Sequence, residues 1–531
     1  MTKMGKRLII IMGICCLFGI SCTSRFKDIN IDRSGITDED LKADNNDHGI
    51  RLGIIQQGIY FNYDYGKGKN WPFQMTQNLN ADMFSGYMHD AKPLNGGSHN
   101  SDYNLQDGWN SAMWSHTYAY IFPQIHHSED STRTRFPAFF GITKILKVEV
   151  MHRVTDYYGP IVYTHFANPE NGYLPDTQEK VYDQFFHELD TAVTVLSEHI
   201  TKNPQATEFA KFDILLDGRY SSWIKFANSL RMRLAIRIAT ADPERARSEF
   251  CKALDNSWGI FEKESEIVAV STKKGYSNPL GEINRVWNES YMSASMESIL
   301  NGYADPRREV YFESCTDKRF EGQFRGIRQG TCFAHNYYRD LSKLTVSQST
   351  DAVLMTAAEV WFLRAEAALR GWTTENAGTC YENGITTSFY QHGIYKIDDY
   401  LNSSAIASDF EDTYDSENNI AARCRVSPKW IEEDDKEVKL EKIITQKWLA
   451  IFPEGCEAWA EQRRTGYPRL FPVRFNNSRN NCIDTELMIR RLNFPGLLIA
   501  ENKKQYDMLV KALGGEDNGG TRLWWDTGRN W

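Results

Sequence analysis

Trp223-Ile224-Lys225-Phe226-Ala227-Asn228-Ser229-Leu230-Arg231-Met232-Arg233-Leu234-Ala235 is the stretch on which the fold turns. Its apolar positions, Trp223, Phe226 with Ala227, Leu230, Leu234 and onward to Ile238, recur every three to four residues, the period of a helix with one buried stripe. Arg231, Arg233 and Arg237 fall on other faces, so the segment reads as a long amphipathic helix. Upstream, 181–196 repeats the pattern with Phe185, Leu189, Ala192 with Val193, and Leu196, and Asp176-Thr177-Gln178-Glu179 ahead of it supplies N-capping residue types. Downstream, a helix over 357–369 puts Ala358, Phe362, Ala365 and Leu369 on one stripe, where small side chains let a neighbouring helix come close. Gly371 follows, then Ala377, Tyr381 and Gly384, near the small, aromatic, small spacing of the second helix of a tetratricopeptide repeat. The expected fold class is mainly α: a tetratricopeptide-like helical-repeat scaffold.

Three long segments without periodicity interrupt the helices, at about 84–110, 271–292 and 315–350, and they are rich in Gly, Asn, Ser and aromatic residues. Loops of that length in a compact domain are functional or disordered, and rings among them favour function. Tyr87 and His89 from the first loop, Trp287 and Tyr291 from the second, and Tyr337 with Tyr338 from the third lie outside the helical stripes; these six are the expected ligand-binding residues. The chain holds 14 Trp, 26 Tyr and 28 Phe, more than a core of this size requires. Flat amphipathic rings suit ligands with apolar faces and polar edges.

The 531 residues, 41% of them apolar and 25% charged, exclude a disordered chain and a polytopic membrane protein. With 61 Lys+Arg against 70 Asp+Glu the formal net charge is −9, and no basic cluster offers phosphate contacts, so no nucleic-acid partner is expected. Lys3, Lys6 and Arg7 form a positive n-region before an apolar run, 8–20, that is too short for a membrane span of roughly 20 residues. Gly19-Ile20-Ser21-Cys22 closes the run in the manner of a bacterial lipoprotein signal, although Gly19 stands where such signals usually carry Leu. Residues 1–21 are therefore expected to be removed, with Cys22 acylated as the mature N-terminus and 22–531 forming one domain on a tether. Cys251, Cys315, Cys332, Cys380, Cys424, Cys456 and Cys482 cannot all pair and form no C-x-x-C, so most are read as buried thiols.

Catalytic patterns fail on inspection. His187-Glu188-Leu189-Asp190-Thr191 begins like a zincin helix but lacks the second His, and Asp44-Asn45-Asn46-Asp47-His48-Gly49 begins like a calcium loop but puts Ile55 where a bidentate Glu belongs. His126-His127 has no patterned third ligand. There is no Walker A motif and no G-x-S-x-G. No metal or cofactor is expected. Two carboxylates facing each other across a glycosidic bond would leave no sequence signature.

Arg153-Val154-Thr155-Asp156-Tyr157-Tyr158-Gly159-Pro160-Ile161 resembles the Asp-x-Tyr-Gly-Pro-Ile signature of the SusD/RagB family, surface lipoproteins of Bacteroidetes nutrient-uptake systems. In collinear order, the Trp223 helix resembles that family's scaffold helix, Asp305-Pro306-Arg307-Arg308 its Asp-Pro-Arg turn, and the segment from Met355 to Ala367 its repeat helix. Gln446-Lys447-Trp448-Leu449-Ala450, Glu457-Ala458-Trp459, Arg463-Arg464-Thr465-Gly466-Tyr467-Pro468 and Trp524-Trp525-Asp526 complete the series. These motif residues are read as scaffold: Trp448 and Trp459 as core, Arg463 and Arg464 as ion-pairing to a neighbouring helix, Gly466 with Pro468 as a helix stop.

The resemblance implies a non-catalytic glycan-binding lipoprotein, anchored in the outer membrane, that covers a SusC-like TonB-dependent transporter. Trp and Tyr platforms would take the apolar face of a sugar ring, and Asn, Asp, Arg and His its hydroxyl rim. Two alternatives stay open at this level: the same fold serving a peptide or another nutrient, and a surface glycosidase with a carboxyl pair in a cleft.

Overall fold

The computed structural model describes residues 45–61, 71–91, 100–331 and 337–531. The signal segment, Cys22, Cys332 and 92–99 of the first loop lie outside the described residues.

Among the described residues, nine helices carry the scaffold: α1 Phe122–Thr132, α2 Pro137–Tyr158, α3 Gln178–Lys202, α4 Tyr220–Arg237, α5 Pro243–Leu254, α6 Ala357–Leu369, α7 Ala377–Gln391, α8 Lys436–Ala450 and α9 Gly455–Thr465. Neighbours in sequence pack pairwise, α1 on α2, α2 on α3, α3 on α4, α4 on α5 and α6 on α7, while α4 and α8 also lie against α6. This is the expected helical scaffold. Strands are short: β1 Met88–His89, β2 Ile267–Val270, β3 Tyr291–Met292 and β4 Ala352–Thr356 form two antiparallel pairs, β1 with β3 and β2 with β4.

Local chemistry explains the helix ends. The Thr177 hydroxyl accepts the Lys180 N–H at the start of α3, and Thr356 does the same for Glu359 at α6. Asp435 caps α8 by accepting the Val438 N–H at 2.9 Å. Gly466 ends α9 in the left-handed region, φ 78°, as its place in the motif predicts. Gly384 on α7 sits where an added Cβ would stand 2.7 Å from the Phe362 ring of α6, so the close approach of these helices needs a residue without a side chain.

The amphipathic reading of α4 is corrected. From Phe226 to Arg237 every side chain is buried, the arginines included. Arg233 binds Glu359 of α6 through two hydrogen bonds of 2.8 and 2.7 Å, and Arg237 pairs with Glu457 and Glu461 of α9. Lys447 of α8 completes the group at 2.7 Å from Glu457. Burial alone would raise the Glu457 pKa, but Arg237 and Lys447 outweigh it and hold it below its usual value. Glu149 of α2 is likewise pushed up by burial and brought down, to about 2, by His152 and Arg153. A buried charge is tolerated only when paired, and here the pairs join helices distant in sequence.

The motif residues of the sequence are scaffold. Trp448 and Trp459 are buried. Arg464 forks onto Glu366 at 2.7 and 2.8 Å. Arg463 lies on the Trp459 ring, 3.6 Å from its centroid, and donates to the Asp156 and Arg490 carbonyls instead of pairing with a carboxylate. All six described cysteines are free thiols.

Candidate functional site

The three loops meet in one place. His89 of β1 stands opposite Tyr291 of β3. The Tyr291 hydroxyl donates to the Arg339 carbonyl at 3.0 Å, and the buried side chains of Ala91, Tyr291, Cys315, Ile327, Tyr338 and Leu341 form a small apolar cluster apart from the main core.

Above this floor lies an open aromatic layer. Tyr337, 51% exposed, stacks on Tyr414 with ring centroids 5.0 Å apart and an interplanar angle of 19°. Tyr414 meets Tyr338 edge-on at 5.2 Å. Two carboxylates hold the layer. Asp412 accepts the Tyr338 hydroxyl at 3.0 Å and the backbone N–H groups of Tyr414 and Asp415 at 2.8 and 3.0 Å, the local Asx geometry that fixes the 412–415 turn. Asp317 accepts the Arg319 N–H and side-chain Nε, each at 3.0 Å, and the Tyr414 hydroxyl at 3.1 Å. Arg319 covers Tyr414 at 4.5 Å from the ring centroid, and its hydrogen bonds hold the Asp317 carboxyl well below the usual carboxylate range. The result is an aromatic face rimmed by a guanidinium fork and carboxylates, suited to a flat apolar surface with hydroxyls at its edge.

The expectations for single residues fare differently. Tyr337 is open. Tyr338, Tyr291 and His89 are buried beneath it, His89 with a ring nitrogen 3.2 Å from the Asp90 carboxylate, and they form the support of the layer instead of its surface. Tyr87 belongs to the main core: its hydroxyl donates to the Trp448 carbonyl and its ring packs on Trp448 and Phe452. Trp287 is half-buried against the same core. A stacking platform needs an accessible ring face, so burial removes Tyr87, His89, Tyr291 and Tyr338 from that role in this structure. Tyr414, Arg319 and Asp317 were not singled out in the sequence; Tyr414 sits in an aperiodic run of Asp, Ser and Asn, a signal of the kind that marked the other loops. Among the described residues no group of three or more His, Cys, Asp or Glu has metal-binding geometry, and no helix is long and apolar enough to cross a membrane.

Comparison with known proteins gives the chain its relatives. The family model SusD-like, described as Susd and RagB outer membrane lipoprotein, matches residues 28–526. A solved SusD homologue from Bacteroides vulgatus is 46% identical, with a TM-score of 0.88 over 92% of this chain and 99% of its own. A chitin-binding SusD homologue from Flavobacterium johnsoniae is 38% identical, with a TM-score of 0.87 over 91% and 99%. A SusD homologue from Bacteroides uniformis is 31% identical, with a TM-score of 0.82 over 91% and 99%. No curated protein matches the chain.

Proposed function

Because the chain belongs to the SusD-like family of outer-membrane lipoproteins, we propose that it captures glycans at the cell surface without cleaving them and passes them to a SusC-like TonB-dependent transporter. Members of this family bind glycans at the cell surface and are generally not catalysts. The observation that carries the reading is the open Tyr337–Tyr414 stack beside the Arg319–Asp317 pair: rings for the C–H face of a pyranose, charge-assisted donors and acceptors for its hydroxyls. The chitin-binding relative makes oligomers of N-acetylglucosamine the first ligands to try.

The anchor follows the same reading. Residues 1–21 act as the export signal, Cys22 carries the lipid, and 22–531 form one ligand-binding domain. Several acyl chains on one Cys give stable membrane attachment where a single chain does not.

Calorimetric titration of the full-length lipoprotein in detergent with chitohexaose, cellohexaose and maltohexaose tests the proposal, with chromatography of the sugars afterwards. Saturable binding of at least one sugar, recovered intact, is the expected result. Failure to bind any of them removes the support for a glycan ligand, and accumulation of shorter products makes the protein a glycosidase.

A further inference from the structure

A second open aromatic cluster is built from Phe61, Trp71, His116 and Tyr120. Phe61 is buried, and the His116 ring packs against it at 4.8 Å. Trp71 and Tyr120 stand edge-on to His116 at 5.8 and 6.0 Å, and they are 41% and 47% exposed. Burial pushes the His116 imidazole down to about 4, so the cluster is uncharged at neutral pH. Isolated surface rings are common, but two open rings braced on a shared third are a preformed face.

Contacts link this cluster to the Tyr337 layer. Gln74 follows Trp71 by about one helical turn and donates to Glu289 at 2.5 Å. The neighbouring Asn288 accepts from Lys343 at 2.7 Å, and both side chains, with Arg285, Glu313 and Thr316, line an open groove of about 130 Å³. Beyond it, the Thr316 and Asp317 N–H groups donate to the Asp340 carbonyl at 3.0 and 3.2 Å, and Asp317 carries the Arg319 fork at the edge of Tyr414. Two cations on this path sit in ion pairs, Arg285 on Glu313 at 2.7 Å and Arg319 on Asp317, while Lys343 donates to the neutral Asn288 amide.

We infer that Trp71 and Tyr120 form a second sugar-stacking platform, and that a linear glycan binds with one segment on Tyr337 and Tyr414, its middle over the polar groove and another segment on Trp71 and Tyr120. The inference rests on the glycan reading of the Tyr337 site and adds chain length to it. Short oligomers fill one platform; longer ones fill both, so affinity rises with length as the second contact becomes intramolecular.

The test is titration of the full-length lipoprotein in detergent with chitobiose and chitohexaose, and with cellobiose and cellohexaose, for the parent and for Trp71→Ala, Tyr120→Ala and Tyr337→Ala, each checked by its melting temperature. In at least one series the hexamer binds the parent tenfold or more tighter than the dimer. Trp71→Ala and Tyr120→Ala each weaken the hexamer by about ten- to a hundredfold, with melting unchanged. If the hexamer binds these two variants as it binds the parent while Tyr337→Ala weakens it, the second platform is wrong and the glycan site stands. Equal binding of dimer and hexamer by the parent also overturns the inference. If neither series binds, the extended site and the glycan reading fall together.

Discussion

Arginine lies over an aromatic ring in both the scaffold and the loop layer, and the two cases behave in opposite ways. Arg463 sits 3.6 Å from the Trp459 centroid with both side chains buried; Arg319 sits 4.5 Å from that of Tyr414 with 53% of its own side chain exposed. In the scaffold, helices α2, α4, α6, α8 and α9 are tied by charges withdrawn from water, so each partner is needed to keep the other tolerable. In the loop layer the same residue types face solvent, contribute little to folding, and keep a ring face and hydrogen-bonding groups available. Burial, more than residue type, separates what holds this fold from what is free to bind.

Breaking the buried side gives the largest effect. Arg233→Ala takes from Glu359 its bidentate partner, leaving Lys447 3.5 Å away, and should destabilise the protein by about 3–5 kcal/mol in urea unfolding. A loss below roughly 1 kcal/mol would put the network outside the terms that hold the helices together.

Glu297 sharpens the boundary, because it joins the two regions by accepting the Gly326 N–H with Arg325 3.3 Å away. Burial raises its pKa from 4.5 to about 8, with Arg325 opposing the shift. A carboxyl whose folded pKa is raised contributes stability that is full below 4.5 and is lost as pH rises through about 8. Glu297→Gln should therefore match the parent near pH 5 and exceed it by on the order of 1–3 kcal/mol near pH 9. Parallel pH profiles for parent and variant would show that Glu297 is not protonated in the folded protein.

The smallest effect on stability belongs to the exposed pair. Arg319→Ala should move the melting temperature by less than about one degree, because an ion pair in water gains little from its geometry. A drop of several degrees would make the layer part of the scaffold and erase the contrast.

How far the sequence led follows the same line between local and distant partners. The helix at 357–369 was legible to the residue, since its stripe and its cap are encoded within a few positions. The burial of α4 was not: an arginine reads as surface until its carboxylate is found, and Glu359 lies 126 residues beyond Arg233. The loops were legible as breaks in the helical pattern because their aromatic residues fell outside its stripes, and chain folding brought His89, Tyr291, Tyr337 and Tyr338 together. Which ring would be open was not legible. Tyr337 and Tyr338 are adjacent in sequence and of one type, yet one is 51% exposed and the other 1%, and the ring that sorts them, Tyr414, comes from a segment outside the three loops.

On the proposed function, the Tyr337–Tyr414 layer binds ligand without supporting the fold. Its most direct test is the affinity of Tyr337→Ala for a bound oligosaccharide such as chitohexaose, measured beside its melting temperature. Loss of a stacking platform should weaken binding by about ten- to a hundredfold, on the order of 1–3 kcal/mol, with melting unchanged. A variant that melts like the parent and binds the sugar equally well would contradict the account.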